Sequence, residues 1–210
     1  MRPGGGDSKE TQHLLERIRG GQVSVLDELF ERHRRYVRKL VELRLDPALR
    51  RRVDPSDVVQ EAQLEAARRI NGYLDQQTMS FRLWLRQIAY DRLLMLRRRH
   101  AGAHCRDVRR ETDLPDRSSL QLARQVMGTG PTPSQVMIRG EFAHRVRNAL
   151  ARLSATDCEI LTMRQLEGLT NQEVAEALQI EPATARKRYG RALLRLRTRL
   201  LEFGMGESEP

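Results

Sequence analysis

Seven basic side chains lie between residues 182 and 200, and no acidic residue lies among them. Seven cations on a solvated helix would repel one another, so the pattern favours a polyanionic partner over an ordinary solvated face. Arginine can donate two hydrogen bonds to guanine, and arginine and lysine both bind phosphate. The segment is therefore predicted to be a DNA-binding helix. The seven residues are Arg186, Lys187, Arg188, Arg191, Arg195, Arg197 and Arg199.

A helix-turn-helix is predicted to position these cations. Thr170 and Glu173 have the spacing of a capping box, which predicts a short helix over residues 171–178. A turn over residues 179–181 follows, and Pro182 suits the first turn of the basic helix. In such a motif the second helix lies in the major groove and presents its N-terminal residues to the base edges.

A second basic segment, residues 82–110, has nine arginines against two aspartates. It follows an aromatic stretch that ends at Trp84, and arginines beside aromatic rings suit single-stranded nucleic acid, whose bases stack while its backbone follows positive charge. Trp84 has a second interpretation, because its helical spacing to Leu85 and Ile88 is typical of a core residue.

Residues 54–65 have the opposite charge, with four acidic residues and no basic one. Asp57, Glu61 and Glu65 recur every four residues, so they share one face of a helix. Like charges at this spacing are mildly destabilising, which indicates a basic partner outside the chain. The alternative is a helix start stabilised by its dipole, with a solvated face. The residues alone leave both interpretations open.

No residue pattern predicts an enzyme, a metal site or a cofactor. The chain has no glycine-rich phosphate loop, and His100 and His104 are the only histidine pair with even a weak metal-ligand spacing. Cys105 and Cys158 form no CxxC motif and are expected to be free thiols. We therefore predict no catalytic residue, no metal and no cofactor.

The whole chain of 210 residues has a net charge of +10 and 39% hydrophobic residues. Positive charge favours a nucleic-acid partner, although an arginine-rich composition would produce it too, since only three residues are lysines. No secretory signal or membrane span is expected, because no apolar run is long enough. We predict a cytoplasmic protein.

Hydrophobic residues recur at helical spacing almost throughout, which predicts an all-α fold of two small domains joined by a linker. In the first domain, residues 8–100, helices are expected over residues 8–19, from a cap at Ser24 to Asp46-Pro47, from Asp54 to Asn71-Gly72, and from a cap at Ser80. Residues 101–132 are interpreted as the linker, with one short helix at 118–127. The second domain, residues 133–204, is expected to have a helix over 133–152, one from Ser154 to Gly168, and the helix-turn-helix.

Six motifs resemble bacterial RNA polymerase sigma factors of the sigma-70 family. The segments DVVQEA (57–62), FxxWLxxIA (81–89) and LRRR (96–99) are similar to sigma domain 2. The segments LSxxDxEIL (153–161), LEGLTxQEVAxxL (166–178) and TARKRxxRA (184–192) are similar to the winged-helix-like sigma domain 4. Both groups together resemble the extracytoplasmic-function (ECF) branch, which keeps only these two domains. Asp91, Gln179 and Glu181 depart from the residues usual in that family.

The resemblance implies a promoter-recognition protein that binds core RNA polymerase. The loop 72–80 would select a flipped base of the −10 element, and domain 4 would also contact the polymerase flap. An anti-sigma protein is a further possible partner. The implied polymerase-clamp contacts are Asp57, Gln60 and Glu61. The implied −10 contacts are Tyr73, Arg82, Trp84, Arg86, Arg92, Arg97 and Arg98. The implied −35 contacts are Thr184, Arg186, Lys187, Arg188 and Arg191.

Two other functions remain as alternatives. A helix-turn-helix regulator that does not bind core polymerase would explain residues 150–200. It would not explain the acidic stripe formed by Asp57, Glu61 and Glu65, or the arginines that follow it. A nucleic-acid enzyme has little support, because no nucleophile constellation is present.

Overall fold

The computed structural model describes residues 7–45, 49–50, 52–101, 121–122 and 148–202, and every regular element in these ranges is helical. The all-α prediction is confirmed. The chain divides into two compact units, Met1–Arg106 and Asp107–Pro210. The predicted linker 101–132 and helix 133–152 lie mostly outside the described residues; within them, residues 121–122 and 148–151 are helical.

In the described part of the first unit, four α-helices pack around one hydrophobic core. Ser8 caps the first helix, because its side chain accepts a hydrogen bond from the Thr11 amide at 3.2 Å. Asp54 caps the third in the same way, from the Ser56 amide at 2.7 Å. Both helices begin where the sequence predicts. The helices are α1 (Lys9–Arg19), α2 (Leu26–Arg44), α3 (Pro55–Gln76) and α4 (Phe81–Ala101).

Two predicted helix boundaries in this unit are wrong. Ser24 is not a cap: it lies in a 3₁₀ turn, Val23–Val25, and α2 begins at Leu26 without a side-chain cap. Asn71-Gly72 does not end α3, which continues to Gln76. Gly72 costs a helix about 1 kcal/mol relative to alanine, but the next two residues, Tyr73 and Leu74, are buried in the core. The burial of these two side chains stabilises the longer helix by more than Gly72 destabilises it.

The connection between α3 and α4 is short and well anchored. Gln77 ends α3 in the left-handed conformation, with φ of 37°. The Ser80 hydroxyl accepts from the Leu83 amide at 3.4 Å, as predicted for a cap. Asp7, from outside α1, also accepts hydrogen bonds from the first amides of α4. The predicted loop 72–80 is thus shortened to residues 77–80.

Besides the helical residues 121–122 and 148–151, the described part of the second unit has three helices and one π-helical turn. The Ser154 hydroxyl accepts from the Asp157 amide at 3.1 Å, so Ser154 caps α5 as predicted. The reciprocal capping box of Thr170 and Glu173 is also present, at 3.2 and 2.7 Å. The elements are α5 (Ala155–Leu161), the π turn (Thr162–Leu166), α6 (Asn171–Leu178) and α7 (Pro182–Glu202).

The core of the second unit lies between α7 and the two helices before it. Val174 and Ala175 of α6 and Ala185 and Ala192 of α7 are buried. Leu196 and Leu200 are also buried, so α7 stays packed along most of its length. Gln179 ends α6 with φ of 52°, which lies in the left-handed region.

Candidate nucleic-acid interface

The outer face of α7 carries the predicted reading residues. Arg186, Lys187, Arg188 and Arg191 are exposed, whereas Thr184 is half-buried. Ala185 and Ala192, on the opposite side of the helix, are in the core. The first three turns of α7 therefore point four cations away from the unit, as a helix in a DNA groove requires.

Two basic residues of the C-terminal half of α7 are engaged within the unit. Arg195 Nη1 lies 2.7 Å from Oδ2 of Asp157, whose side chain is only 9% exposed. Arg199 pairs with Glu202 at 3.0 Å. The prediction of an all-basic helix that needs an external partner throughout is therefore too broad. It applies best to the N-terminal half.

The π turn supports the middle of α7. Tyr189 is half-buried, and its hydroxyl is hydrogen-bonded to the side-chain amide of Gln165. The Arg164 guanidinium lies over the Tyr189 ring, 5.2 Å from its centroid. These contacts hold Tyr189 inward, while its neighbour Arg188 is exposed. The sequence carries no clear signal of this turn.

In the first unit, the aromatic residues at the start of α4 form a cluster. Tyr73 is buried, and its hydroxyl donates to the Met79 carbonyl at 3.0 Å. Trp84 stacks on Tyr73, with centroids 4.6 Å apart, and packs partly buried against the core. Of the two interpretations of Trp84, this geometry favours the core residue.

The α4 arginines differ widely in their surroundings. Arg82 lies over the Tyr36 ring, 4.3 Å from its centroid. Arg86 is only 5% exposed and stacks on Tyr90. Arg92 pairs with Glu65 at 2.6 Å, and Arg97 donates to the Arg44 carbonyl at 3.0 Å. Arg98 and Arg99 are exposed. The predicted −10 contacts thus do not form one uniform basic row.

The acidic stripe of α3 is divided in two. Asp57, Gln60 and Glu61 are exposed, and within the described residues no ion pair joins either acid. Leu64, one turn further along the same face, is 61% exposed. We call Asp57, Gln60, Glu61 and Leu64 the α3 face.

Glu65 does not need the external partner that the sequence suggested. It pairs with Arg69 and Arg92, each at 2.6 Å, and with Arg68 at 3.5 Å. Partial burial raises the pKa of this carboxyl, but the three guanidiniums outweigh the burial and hold its pKa below the ordinary value. Glu65 is therefore satisfied by its own chain.

The comparisons with known proteins agree with this geometry. Residues 143–196 match the family model described as sigma-70, region 4. The ECF RNA polymerase sigma-E factor of Haemophilus influenzae is 26% identical over 181 residues, which cover 86% of this chain and 90% of that protein. The chain therefore resembles sigma factors of the ECF branch of the sigma-70 family.

A solved structure supports the fold of this sigma factor. The structure of CnrH in complex with the cytosolic domain of CnrY matches with a TM-score of 0.55 at 20% identity, over 91% of this chain and 97% of that chain. As a sigma factor, the protein directs core RNA polymerase to promoters and initiates transcription. A regulator that does not bind polymerase is not favoured.

The remaining predictions concern absent features. In the described ranges, no three His, Cys, Asp or Glu side chains are grouped so as to hold a metal ion. The side chains of His100, His104 and Cys105 lie outside these ranges, whereas Cys158 is buried and forms no disulfide bond within them. Among the helices that the structure describes, none is long and apolar enough to span a membrane. Sigma factors are generally non-enzymatic DNA-binding regulators.

Proposed function

We propose that this sigma factor reads the −35 element with the first three turns of α7, captures a −10 base beside residues 77–80, and binds core polymerase through the α3 face. The observation that carries the proposal is the row of exposed cations on the second helix of a capped helix-turn-helix. These cations are Arg186, Lys187, Arg188 and Arg191. Thr184 borders this row. The chain is proposed to act in the cytoplasm and to catalyse no reaction.

The −35 assignment follows from which cations of α7 are available to bind DNA. Arg195 and Arg199 neutralise acids of the same unit, so they have less charge to offer a phosphate. The four exposed cations lie within the first ten residues of α7. A recognition helix presents its N-terminal residues to base edges, so base reading and charge coincide at this end.

The polymerase assignment follows from charge and apolar exposure together. Asp57 and Glu61 are one helical turn apart and lie beside Gln60 and Leu64. Two carboxylates attract a basic helix, and a leucine beside them gains from being removed from water. The partner surface is the basic clamp of the polymerase large subunit.

The −10 assignment concerns residues 77–80 and the arginines of α4. Extruding a base costs a few kcal/mol, which a binding site repays only for the base it fits. Arg98 and Arg99 are exposed and suited to the phosphate backbone next to the opened strand. Opening is thus driven by binding energy and needs no ATP hydrolysis by this chain.

An anti-sigma protein is a proposed further partner. The solved neighbour CnrH is in complex with the cytosolic domain of CnrY. A protein that covers the α3 face would keep the sigma factor from polymerase, because both partners would need the same carboxylates and Leu64.

Run-off transcription with purified core polymerase and a set of genomic promoters tests the proposal. Asp57→Arg should abolish holoenzyme assembly. Asp27→Arg is its matched control, because Asp27 is also an exposed acid in the first turn of a helix. Assembly that survives Asp57→Arg, or is lost equally with Asp27→Arg, would contradict the polymerase assignment.

A second pair of variants tests the −35 assignment. Arg188→Ala should weaken binding to promoter duplex about tenfold, since a phosphate or bidentate base contact is worth roughly 1–3 kcal/mol. Arg197→Ala is the matched control, an exposed arginine in the C-terminal half of α7. Equal losses from the two variants would show that α7 contributes only diffuse charge.

A further inference from the structure

A cavity of about 330 Å³ lies beside residues 77–80. One wall is α1, and the other is the end of α3 with the loop that follows it. Its volume is at the lower end of the range for small-molecule sites, about 300–1,000 Å³, as suits a single planar ring system. The polar residues that line it include Asp7, Gln12, Glu16, Arg19, Tyr73 and Gln77.

Hydrogen bonds between elements hold both walls in place. Arg19 Nη2 of α1 donates to the Leu74 carbonyl of α3 at 2.8 Å. The Tyr73 hydroxyl donates to the Met79 carbonyl at 3.0 Å, which ties the loop to α3. Gln77 turns the chain in the left-handed conformation. The cavity is therefore formed before any ligand enters.

Asp7 lies at the inner edge of this cavity with its carboxylate fixed. Oδ2 accepts from the Phe81 amide at 2.8 Å, and Oδ1 accepts from the Arg82 amide at 3.4 Å. Burial raises the pKa of Asp7 above its ordinary value and outweighs the hydrogen bonds from the two backbone amides, which by themselves would lower it. A carboxylate oxygen can accept more than one hydrogen bond, so Asp7 can still accept one from a ligand.

We propose that this cavity receives the flipped −10 base and that Asp7, outside the loop, selects a base with an exocyclic amino group. The inference rests on the proposed −10 function and deepens it. An amino group donates to the fixed carboxylate, whereas a carbonyl at the same position places one acceptor against another. The partly buried Asp7 carboxylate then opposes binding of the wrong base, because a carboxylate oxygen faces the base carbonyl.

The test uses pairs of bases in which a carbonyl replaces the amino group and the adjacent ring nitrogen gains a hydrogen. Single-stranded −10 oligonucleotides of a responsive promoter are bound to the holoenzyme and measured by fluorescence anisotropy. A scan with abasic sites first locates the captured position. Cytosine is then compared with uracil there, and adenine with hypoxanthine. The amino base should bind roughly tenfold more tightly, the worth of one hydrogen bond to a charged group.

Asp7→Asn tests the residue itself. Asparagine keeps an oxygen for the α4 amides but places an NH₂ group where the second oxygen lay, so the preference for the amino base should disappear or invert. Asp75→Asn is the control, because Asp75 is an exposed acid near the end of α3 that does not line the cavity. Circular dichroism and urea unfolding check that both variants fold.

The outcomes separate the two proposals. An abasic-sensitive position with no amino preference, or a preference that survives in folded Asp7→Asn, overturns the role of Asp7 and leaves −10 base capture standing. A scan in which no position is sensitive overturns base capture itself, and the inference with it. If Asp7→Asn does not fold, the comparison of cytosine with uracil in the wild type still decides the amino preference.

Discussion

Trp84 stacks on Tyr73, with ring centroids 4.6 Å apart and ring planes at 28°. Phe81 packs against both rings, at 5.7 Å from Tyr73 and 5.5 Å from Trp84. We expect Trp84→Ala to lower the free energy of unfolding by about 2–4 kcal/mol, because it leaves a cavity beside these rings. Trp84→Phe should cost much less. Urea unfolding measures both; an Ala variant of native stability that fails only in promoter opening would make Trp84 a base contact instead.

Glu65→Gln should destabilise the first unit at neutral pH, because Arg69 and Arg92 lose the carboxylate between them. The folded-state pKa of Glu65 lies below the ordinary 4.5, so its stabilisation is present above pH 4.5 and is lost as the pH falls through the lowered pKa. The difference in urea midpoint between wild type and variant should therefore shrink at low pH. Glu61→Gln, at an exposed position, should have little effect at either pH.

Arg195→Ala should destabilise the second unit, but it should not remove a direct contact with DNA. It leaves the buried Asp157 carboxylate without its 2.7 Å partner, which costs about 1–3 kcal/mol. Arg191→Ala, one turn earlier and exposed, should change stability by less than about 0.5 kcal/mol but weaken promoter binding. Amide hydrogen exchange of residues 171–178 and duplex titration distinguish the two effects. Equal exchange in both variants would show that the ion pair is not stabilising.

Gln179→Gly should stabilise the second unit by about 0.5–1 kcal/mol. Gln179 has φ of 52°, a left-handed conformation that costs a residue with a Cβ roughly 1–2 kcal/mol. Glycine removes this strain, but part of the gain in stability is lost because glycine raises the conformational entropy of the unfolded chain. Gln179→Ala keeps the strain and should be close to neutral. The shift in thermal midpoint checks both, and a destabilising glycine would mean that the turn is not strained.

Acid should weaken the first unit through His33. Burial, assisted by the charges of Arg32 and Arg82, lowers the pKa of His33 from 6.5 to about 4. The unfolded chain therefore takes up the proton first, so stability falls as the pH drops from 6.5 towards 4, by at most about 3 kcal/mol. His33→Gln should remove this pH dependence, while His13→Gln, an exposed position, should keep it. Urea midpoints between pH 7.5 and 4.5 give the comparison.

Four helix starts were predictable from a short polar side chain just before the helix. The caps at Ser8, Asp54, Ser154 and Thr170 are all present. Each cap bond joins residues two or three positions apart, so the information is local in the sequence. The helical spacing of core residues is local in the same sense, and the all-α fold followed from it.

Local signals failed where long-range packing opposed them. Gly72 was expected to end α3, but Tyr73 and Leu74 bury their side chains against other helices and carry α3 onward. Ser24 was expected to cap α2, but the chain first forms a 3₁₀ turn that buries Val25. Asp7 caps α4 from about seventy residues away, a contact that no short-range pattern can reveal.

The sequence by itself determined the helices, the order of the two units and the excess of positive charge on α7, because these depend on composition, capping residues and periodicity. Only the tertiary structure decided which charges are available to a partner. Glu65 and Arg195 are neutralised by groups 27 and 38 residues away, in Arg92 and Asp157, whereas Asp57 and Arg188 remain exposed. The physical reason is that an ion pair depends on where two helices meet, which residue type and spacing along one helix do not specify.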